Sequence, residues 1–259
     1  MTRYVALGSS MAAGPGIAPR APGSPRLAMR SSRNYPTLLA EALDLDLVDV
    51  SYSGATTAHL LTDRQNGAPP QVEVLDGTET LVTITIGGND VAYVPGLLVA
   101  TLPTPVRWLP VVGPRLRHVL DPTARQVALA EVGASLRAVG LAVREKAPGA
   151  RVVFVDYPTI LPPAGRSAFP LRERYVDLGR RVAEQLERAT AEAALASGCE
   201  LVSAGAASRD HHAWSEDPWT VGATLPIPGR PLSYHPNAAG MRAVADLLET
   251  HLATTPTTP

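Results

Sequence analysis

The sequence has only one cysteine, Cys199, among its 259 residues, and this excludes an intramolecular disulfide. Folding therefore does not require an oxidising compartment. Hydrophobic residues make up 45% of the chain, aromatic residues only 5% and charged residues 18%. This composition is typical of a globular protein, and the length fits one α/β domain.

An excess of charge of one sign is also lacking. The formal net charge is −1 and no basic run exceeds two residues, so we do not expect a nucleic-acid partner. No apolar stretch reaches the roughly 20 residues of a transmembrane helix. The first residues also lack the charged and apolar regions of a signal peptide. Together with the single cysteine, these absences predict a cytoplasmic protein without a transmembrane segment.

Glycine and proline are abundant, with 21 and 25 residues, which predicts long irregular loops between regular elements. Apolar, β-branched runs predict five short strands, and amphipathic stretches between them predict helices. This alternation indicates a parallel sheet covered by helices on both faces, that is, a single-domain three-layer α/β/α fold. We assign residues 1–253 to this domain and expect 254–259 to form a disordered tail. The predicted strands lie at 5–7, 47–50, 81–86, 151–155 and 200–202.

Polar and glycine-rich blocks follow three of these strands, and a histidine opens the last helix. The blocks are Gly8-Ser9-Ser10, Ser53-Gly54-Ala55, Gly87-Gly88-Asn89-Asp90 and His235-Pro236-Asn237. In this order and context they resemble the blocks of the SGNH hydrolase family, also called GDSL esterases and lipases. The resemblance covers nearly the whole chain. It implies a flavodoxin-like order of five parallel strands, the SGNH hydrolase fold.

The resemblance also implies catalytic roles. Ser10 corresponds to the nucleophile and His235 to the general base, while the N–H groups of Ser10 and Gly54 and the amide of Asn89 form the oxyanion hole. The chemistry is coherent, because a serine hydroxyl needs a base to take its proton and the resulting oxyanion needs donors already in place. Asp90 is interpreted as structural. No cofactor is predicted.

Two positions depart from the family pattern. Ser9 stands where the first block usually has an aspartate, and Leu232 stands where an aspartate usually precedes the histidine by three residues. We therefore predict that the backbone carbonyl of Leu232 orients His235, which makes a Ser–His dyad. The alternative is an acid from the loop at 204–232, with Asp217 or Asp210 the nearest candidates.

That loop also contains His211 and His212, next to Asp210. Adjacent histidines lack the spacing of a ligand set, so no metal site is predicted. A second unusual segment, residues 95–118, combines five prolines with several large apolar residues. Two interpretations remain open for it: an irregular surface excursion, or a flap beside an acyl pocket.

These observations predict a serine esterase that acts on small-molecule carboxylic esters with small or medium acyl chains. Two other classes stay open. An acyltransferase or thioesterase would use the same site, and a non-catalytic binding protein would keep only the fold. The departures at Ser9 and Leu232 are the only support for the non-catalytic class. The sequence sets no oligomeric state.

Overall fold

The computed structural model describes residues 2–111, 113–225 and 227–254. Its centre is a five-stranded sheet in the order β2-β1-β3-β4-β5, and every neighbouring pair is parallel. The order and direction of the strands that the family resemblance implied are therefore confirmed. The strands are β1 (Thr2–Gly8), β2 (Leu45–Asp49), β3 (Leu81–Thr85), β4 (Arg151–Val155) and β5 (Glu200–Val202).

The central strands are apolar without a break because both of their faces are covered. Val5 and Leu7 of β1 lie beside Val82 and Ile84 of β3, and all four side chains are fully buried. Strands buried on both faces show continuous apolar runs rather than alternation. The strand β2 lies at one edge of the sheet, is half-exposed, and begins two residues before the predicted start.

Helices cover both faces of the sheet. On one face α3, α4, α6 and α7 enclose the larger core, and on the other α2 and α9 pack against each other over the smaller one. The helices are α1 (Ser10–Ala13), α2 (Tyr35–Leu43), α3 (Thr57–Leu61), α4 (Tyr93–Thr101), α5 (Gly113–Val119), α6 (Pro122–Lys146), α7 (Glu173–Ala196), α8 (Ala204–Ala207) and α9 (Ala238–Thr254).

Local chemistry explains where two of these helices begin and end. The side chain of Asp121 accepts the N–H of Thr123, and Pro122 occupies the first position of α6, where no hydrogen-bonded N–H is needed. Helix α3 is short and ends at Leu61. The chain beyond it is held by Gln65, which donates its amide to the carbonyl of Ser53 and pairs with Ala68 across a tight turn.

Residues 95–118 are largely helical, so of the two interpretations the irregular excursion is wrong, and the flap beside an acyl pocket stays a prediction. They hold most of α4, a 3-10 turn at Val106–Trp108, and α5. The prolines fit because Pro95 and Pro114 lie in first helical turns, where the backbone N–H has no partner within the helix. By contrast, the predicted loop at 204–232 is mostly irregular in its described residues, apart from α8 and one 3-10 turn.

Two further sequence predictions concern the ends and the membrane. Thr254 is the last residue of α9 rather than part of the tail, and residues 255–259 lie outside the described residues. By length and composition alone, α6 is apolar enough to cross a membrane. In this fold one side of α6, including Val132, Leu136 and Val143, is buried in the larger core. The expected absence of a transmembrane segment thus stays a prediction.

Candidate active site

Ser10 lies immediately beyond the carboxyl end of β1, as the first residue of α1. The turn that carries it is tightly held. The side-chain amide of Gln71 accepts the N–H of Gly8 at 2.7 Å and donates to its carbonyl at 3.0 Å. A side chain at Gly8 would place its Cβ 2.6 Å from the carbonyl oxygen of Thr85, so only glycine fits between the two strands. This fixed turn sets the direction of the Ser10 side chain.

The structure brings His235 to Ser10 across 225 residues of sequence, with Nε2 2.9 Å from the hydroxyl oxygen. The chain around the histidine is also constrained. Its carbonyl accepts the N–H of Val221, and Asn237 caps α9 by accepting the N–H of Gly240. The preceding residue, Tyr234, is fully buried and adopts a left-handed backbone conformation with φ of 62°. Such strain in a non-glycine residue clusters at functional sites.

The orienting carbonyl belongs to Ser233, not to Leu232 as the sequence predicted. The Nδ1 atom of His235 lies 2.8 Å from the Ser233 carbonyl oxygen. The carbonyl of Leu232 accepts the main-chain N–H of His235 instead, at 3.2 Å. Because a carbonyl only accepts, Nδ1 must carry the proton, and Nε2 of the neutral ring is then the acceptor that faces the Ser10 hydroxyl.

Neither alternative acid reaches the histidine. The carboxylate of Asp217 is 3.4 Å from Nδ1 of His211, its carbonyl also faces that nitrogen at 2.8 Å, and its side chain is 77% exposed. Asp210 is exposed and lies beside a different cavity, which is lined also by Asp156. Within the described ranges no carboxylate accepts a hydrogen bond from His235. The alternative of an acid from the 204–232 loop is therefore wrong for this structure.

The surroundings keep His235 neutral. Burial lowers the pKa of its imidazole to about 4, and the carbonyls of Ser233 and Leu232 only partly oppose this effect. Desolvation disfavours the charged ring, which explains the direction of the shift. At neutral pH the ring is therefore unprotonated at Nε2 and able to accept the proton of Ser10.

Besides the N–H of Ser10 after β1, the candidate oxyanion donors lie on the turns that follow β2 and β3. Gly54 has φ of 81°, a left-handed conformation that favours glycine. No described residue accepts its N–H or that of Ser10. The side-chain amide of Asn89 donates one hydrogen bond to the carbonyl of Ala55 at 2.8 Å, which joins the two turns. An amide has two N–H groups, so the second remains available for a ligand.

Asp90, next to Asn89, is structural as predicted. Its carboxylate accepts the N–H and the hydroxyl of Thr57, with the hydroxyl oxygen 2.6 Å away. Thr57 is the first residue of α3, so this contact ties the start of that helix to the turn after β3. Burial nevertheless raises the pKa of the Asp90 carboxyl, because desolvation outweighs the hydrogen bonds from Thr57.

This arrangement of serine, histidine and backbone donors can be compared with known proteins. A sequence profile of the GDSL-like lipase/acylhydrolase family matches residues 6–243. The chain belongs to this family. Lipase 2 of Streptomyces coelicolor is 34% identical over 94% of this chain and 83% of its own length. A lipase of Streptomyces rimosus is 30% identical over 92% and 82%. The relatives and the fold make the chain an ester hydrolase.

Two solved structures show the same fold over nearly all of this GDSL hydrolase. Phospholipase A1 from Streptomyces albidoflavus superposes with a TM-score of 0.78 at 26% identity, covering 96% of this chain and 98% of the other. The extracellular lipase of Streptomyces rimosus gives 0.76 at 26% identity, covering 96% and 99%. That relative is described as extracellular, and the cytoplasmic location expected here from the sequence stays a prediction.

Sequence reasoning missed Tyr157, which contacts the unusual Ser9 of this GDSL hydrolase. Its hydroxyl oxygen is 2.8 Å from the Ser9 hydroxyl and accepts the N–H of Gly88 at 3.1 Å. The phenol therefore bridges the turns that carry Ser10 and Asn89. Burial raises the pKa of Tyr157 to about 12, so the bridge is uncharged at neutral pH. A polar residue after β4 was the only signal in the sequence.

We expect Tyr157→Phe to lower the free energy of unfolding by about 1–3 kcal/mol, because the buried N–H of Gly88 loses its acceptor. Ser9→Ala should cost less, since Tyr157 would still accept from Gly88. Urea unfolding followed by circular dichroism measures both changes. Equal losses in the two variants would show that the bond between Ser9 and Tyr157 dominates, contrary to this expectation.

Proposed function

We propose that the protein hydrolyses carboxylic esters through an acyl-enzyme on Ser10, with His235 as general base and then general acid. One observation carries the proposal: Nε2 of His235 lies 2.9 Å from the Ser10 hydroxyl, while the opposite ring nitrogen is fixed by Ser233. This geometry supports the roles of nucleophile, base and orienting group that a serine hydrolase requires, with a carbonyl in place of the usual carboxylate.

In this mechanism the Ser10 hydroxyl attacks the ester carbonyl as His235 takes its proton. The negative charge that develops on the carbonyl oxygen is stabilised by the N–H groups of Ser10 and Gly54 and by the free N–H of the Asn89 amide. The imidazolium then returns the proton to the leaving alcohol. Water, activated by the same ring, finally releases the acid from Ser10.

The carbonyl of Ser233 has two effects on this cycle. It holds the ring in the tautomer that the first proton transfer requires, and it stabilises the imidazolium as a dipole rather than as a full charge. The buried histidine therefore becomes a weak base with a low pKa. Such a base stays in its active, unprotonated form at acidic pH. It also takes up the proton of Ser10 less readily than a stronger base would.

We propose small and medium acyl chains as the preferred substrates. The test is a series of p-nitrophenyl esters from acetate to palmitate, with the Ser10→Ala variant as the control for background hydrolysis. We expect the highest kcat/KM among the shorter esters. An optimum at palmitate would contradict the proposed chain length, and equal rates for the wild type and Ser10→Ala would contradict the serine mechanism.

The pH dependence of kcat/KM should show the low pKa of His235. Only the neutral ring can accept the proton of Ser10. Activity therefore requires a pH above the pKa of His235 in the free enzyme, which is about 4. We expect the acid limb of the profile to have its midpoint near pH 4 rather than near the ordinary histidine value of about 6.5. Circular dichroism at each pH controls for unfolding. A midpoint near 6.5 in folded protein would contradict the buried, neutral histidine.

A further inference from the structure

A second cavity lies outside the candidate active site, between the chain that follows α4 and the first turns of α7. Its volume is about 520 Å³. Four arginines line it, and no aspartate or glutamate does so within the part of the chain that the structure describes. The remaining walls are mainly aromatic and apolar, from Trp108, Tyr175, Leu120 and Leu178. The arginines are Arg107, Arg117, Arg174 and Arg181. We call this cavity the arginine groove.

Arg107 is the innermost charge of the groove. The Arg107 residue is only 5% exposed. Its Nη1 atom is buried and has no hydrogen-bond partner among the described residues. The other terminal nitrogen donates to the hydroxyl of Thr104 at 3.1 Å, and the guanidinium lies 5.2 Å from the centre of the Tyr175 ring. A buried, charged donor without an acceptor is costly, so this nitrogen indicates a ligand that brings an acceptor.

The neighbouring arginines are held by aromatic rings instead of carboxylates. Arg117 lies 4.5 Å from the ring centre of Trp108, and Arg174 lies 4.6 Å from that of Tyr175. The nearby acids on α7, Glu173 and Asp177, pair with Arg180, which is not in the groove. Cation–π contacts position a guanidinium without neutralising it. The positive charge of the groove therefore stays available to an anion.

The groove also lies beside helix ends. Leu120 follows the last residue of α5, Pro122 opens α6, and Tyr175 lies in the first turn of α7. The partial positive charge of the two N-termini is already met by Asp121, which caps α6, and by Glu173 in the first turn of α7. The four arginines therefore carry the attraction to a phosphate, which arginine can bind through two parallel hydrogen bonds.

The chain that continues from Trp108, which lines the groove, to Val111 is apolar and open to solvent, and we call it the rim. Trp108 is 66% exposed, Val111 is 85% exposed, and Leu109 is about half exposed. Residues 91–120, which include this rim, contain three arginines and no aspartate or glutamate. A free phosphate would leave these apolar side chains in water. A phosphate attached to an apolar body would use both parts of the surface.

We propose that the arginine groove binds the phosphate of an anionic phospholipid, with Trp108, Leu109 and Val111 against the apolar part of the lipid layer. The segment is tied to the candidate active site, since the hydroxyl of Thr101, at the end of α4, bonds the hydroxyl of Tyr234, next to His235. Binding here would hold the ester-hydrolysing cleft at a lipid surface. The inference does not depend on catalysis, because it concerns binding alone.

The test uses vesicles of ether-linked lipids, which an esterase cannot hydrolyse, so that failure of the proposed catalysis cannot affect it. The full chain is titrated with phosphatidylcholine vesicles that contain ether-linked phosphatidylglycerol, and with pure phosphatidylcholine vesicles. The binding variant is Arg117→Gln/Arg174→Gln. Its matched control is Arg137→Gln/Arg242→Gln, which removes the same charge from exposed positions on α6 and α9. Co-sedimentation gives the apparent Kd.

We expect binding to the anionic vesicles and an apparent Kd about 30-fold higher in the binding variant, from about 1 kcal/mol for each arginine near an anionic surface. The control variant should stay within about twofold of the wild type, because salt screens distant charges. Arg181→Gln, at an exposed position of the groove, should weaken binding about fivefold, and this variant keeps the test valid if the double variant does not fold.

Three results would overturn the proposal. Equal binding to both kinds of vesicle would show that the anionic phosphate is not recognised. An equal loss in the control variant would show a general effect of charge. Binding of inorganic phosphate, measured by calorimetry, without any binding of anionic vesicles would assign the groove to a free anion and not to a lipid.

Discussion

Replacement of Ser10 by alanine is expected to lower kcat for p-nitrophenyl acetate by about 10⁴–10⁶, because the hydroxyl is the only group that can form the acyl-enzyme. His235→Ala should cause a loss of similar size, since an unassisted serine hydroxyl is a poor nucleophile. The two side chains act as a unit through their 2.9 Å hydrogen bond. The double variant should therefore be no slower than either single variant, and steady-state kinetics measures all three.

The controls separate the dyad from a triad. Asp217→Asn and Asp210→Asn should keep kcat within about tenfold, because neither carboxylate reaches His235 in the structure. Leu232→Ala should be as mild, since the substitution leaves the backbone carbonyls of residues 232 and 233 in place. A loss of about 10⁴ in either Asn variant, with the fold intact by circular dichroism, would show that an acid sets the tautomer.

Covalent labelling tests the nucleophile independently. A fluorophosphonate should modify Ser10 and abolish activity, and peptide mapping would locate it. The neighbouring Ser9 offers a second hydroxyl on the same turn and serves as the internal comparison. Its hydroxyl bonds that of Tyr157, whereas the Ser10 hydroxyl bonds Nε2 of His235. Label on Ser9 with Ser10 unmodified would contradict the assignment.

The fold and the four sequence blocks were predictable because their signals are local. The apolar run from Val5 to Leu7 and the stretch from Leu81 to Ile86 are short, rich in β-branched residues and buried, as is typical of central strands. In a parallel sheet the carboxyl ends of all strands lie along one edge, so residues that follow β1, β2 and β3 must be neighbours. The bond from Asn89 to Ala55 is a direct consequence of this topology.

The orienting group of His235 was not predictable to the residue. Each residue offers one carbonyl, and sequence spacing alone does not reveal which one points at the ring. The left-handed backbone of Tyr234 turns the chain so that the carbonyl of Ser233, instead of that of Leu232, faces Nδ1. No sequence pattern predicts φ above zero for a tyrosine, and the side chain of this one is buried and contacts Thr101.

Contacts between distant residues explain the other omissions. Tyr157 reaches Ser9 across 148 residues, and Gln71 reaches Gly8 across 63, and neither lies in a recognisable motif. The helices within 95–118 are hidden in the sequence by the density of proline, which usually disfavours a helix interior. Most of these prolines lie in first turns or beyond helix ends, where they are tolerated.

Asn89→Ala should lower kcat by about 10²–10³ and leave KM within about threefold, because one of three oxyanion donors is lost only where charge develops. The variant also removes the hydrogen bond to the carbonyl of Ala55, which joins the turns after β2 and β3. That structural loss needs its own control. Gln65→Ala provides it, since Gln65 likewise donates an amide N–H to a carbonyl of the same turn, that of Ser53, at 3.0 Å.

Both variants lose an amide that holds the turn, but in this proposal only the amide of Asn89 also stabilises the oxyanion. If Asn89 supplies an oxyanion donor, Gln65→Ala should keep kcat within about tenfold while Asn89→Ala falls much further. Affinity for a boronic acid, which forms a tetrahedral adduct with an active serine, should fall in parallel with kcat in Asn89→Ala alone. A similar fall in kcat in both variants would assign the effect to the turn and leave Asn89 without a part in stabilising the oxyanion.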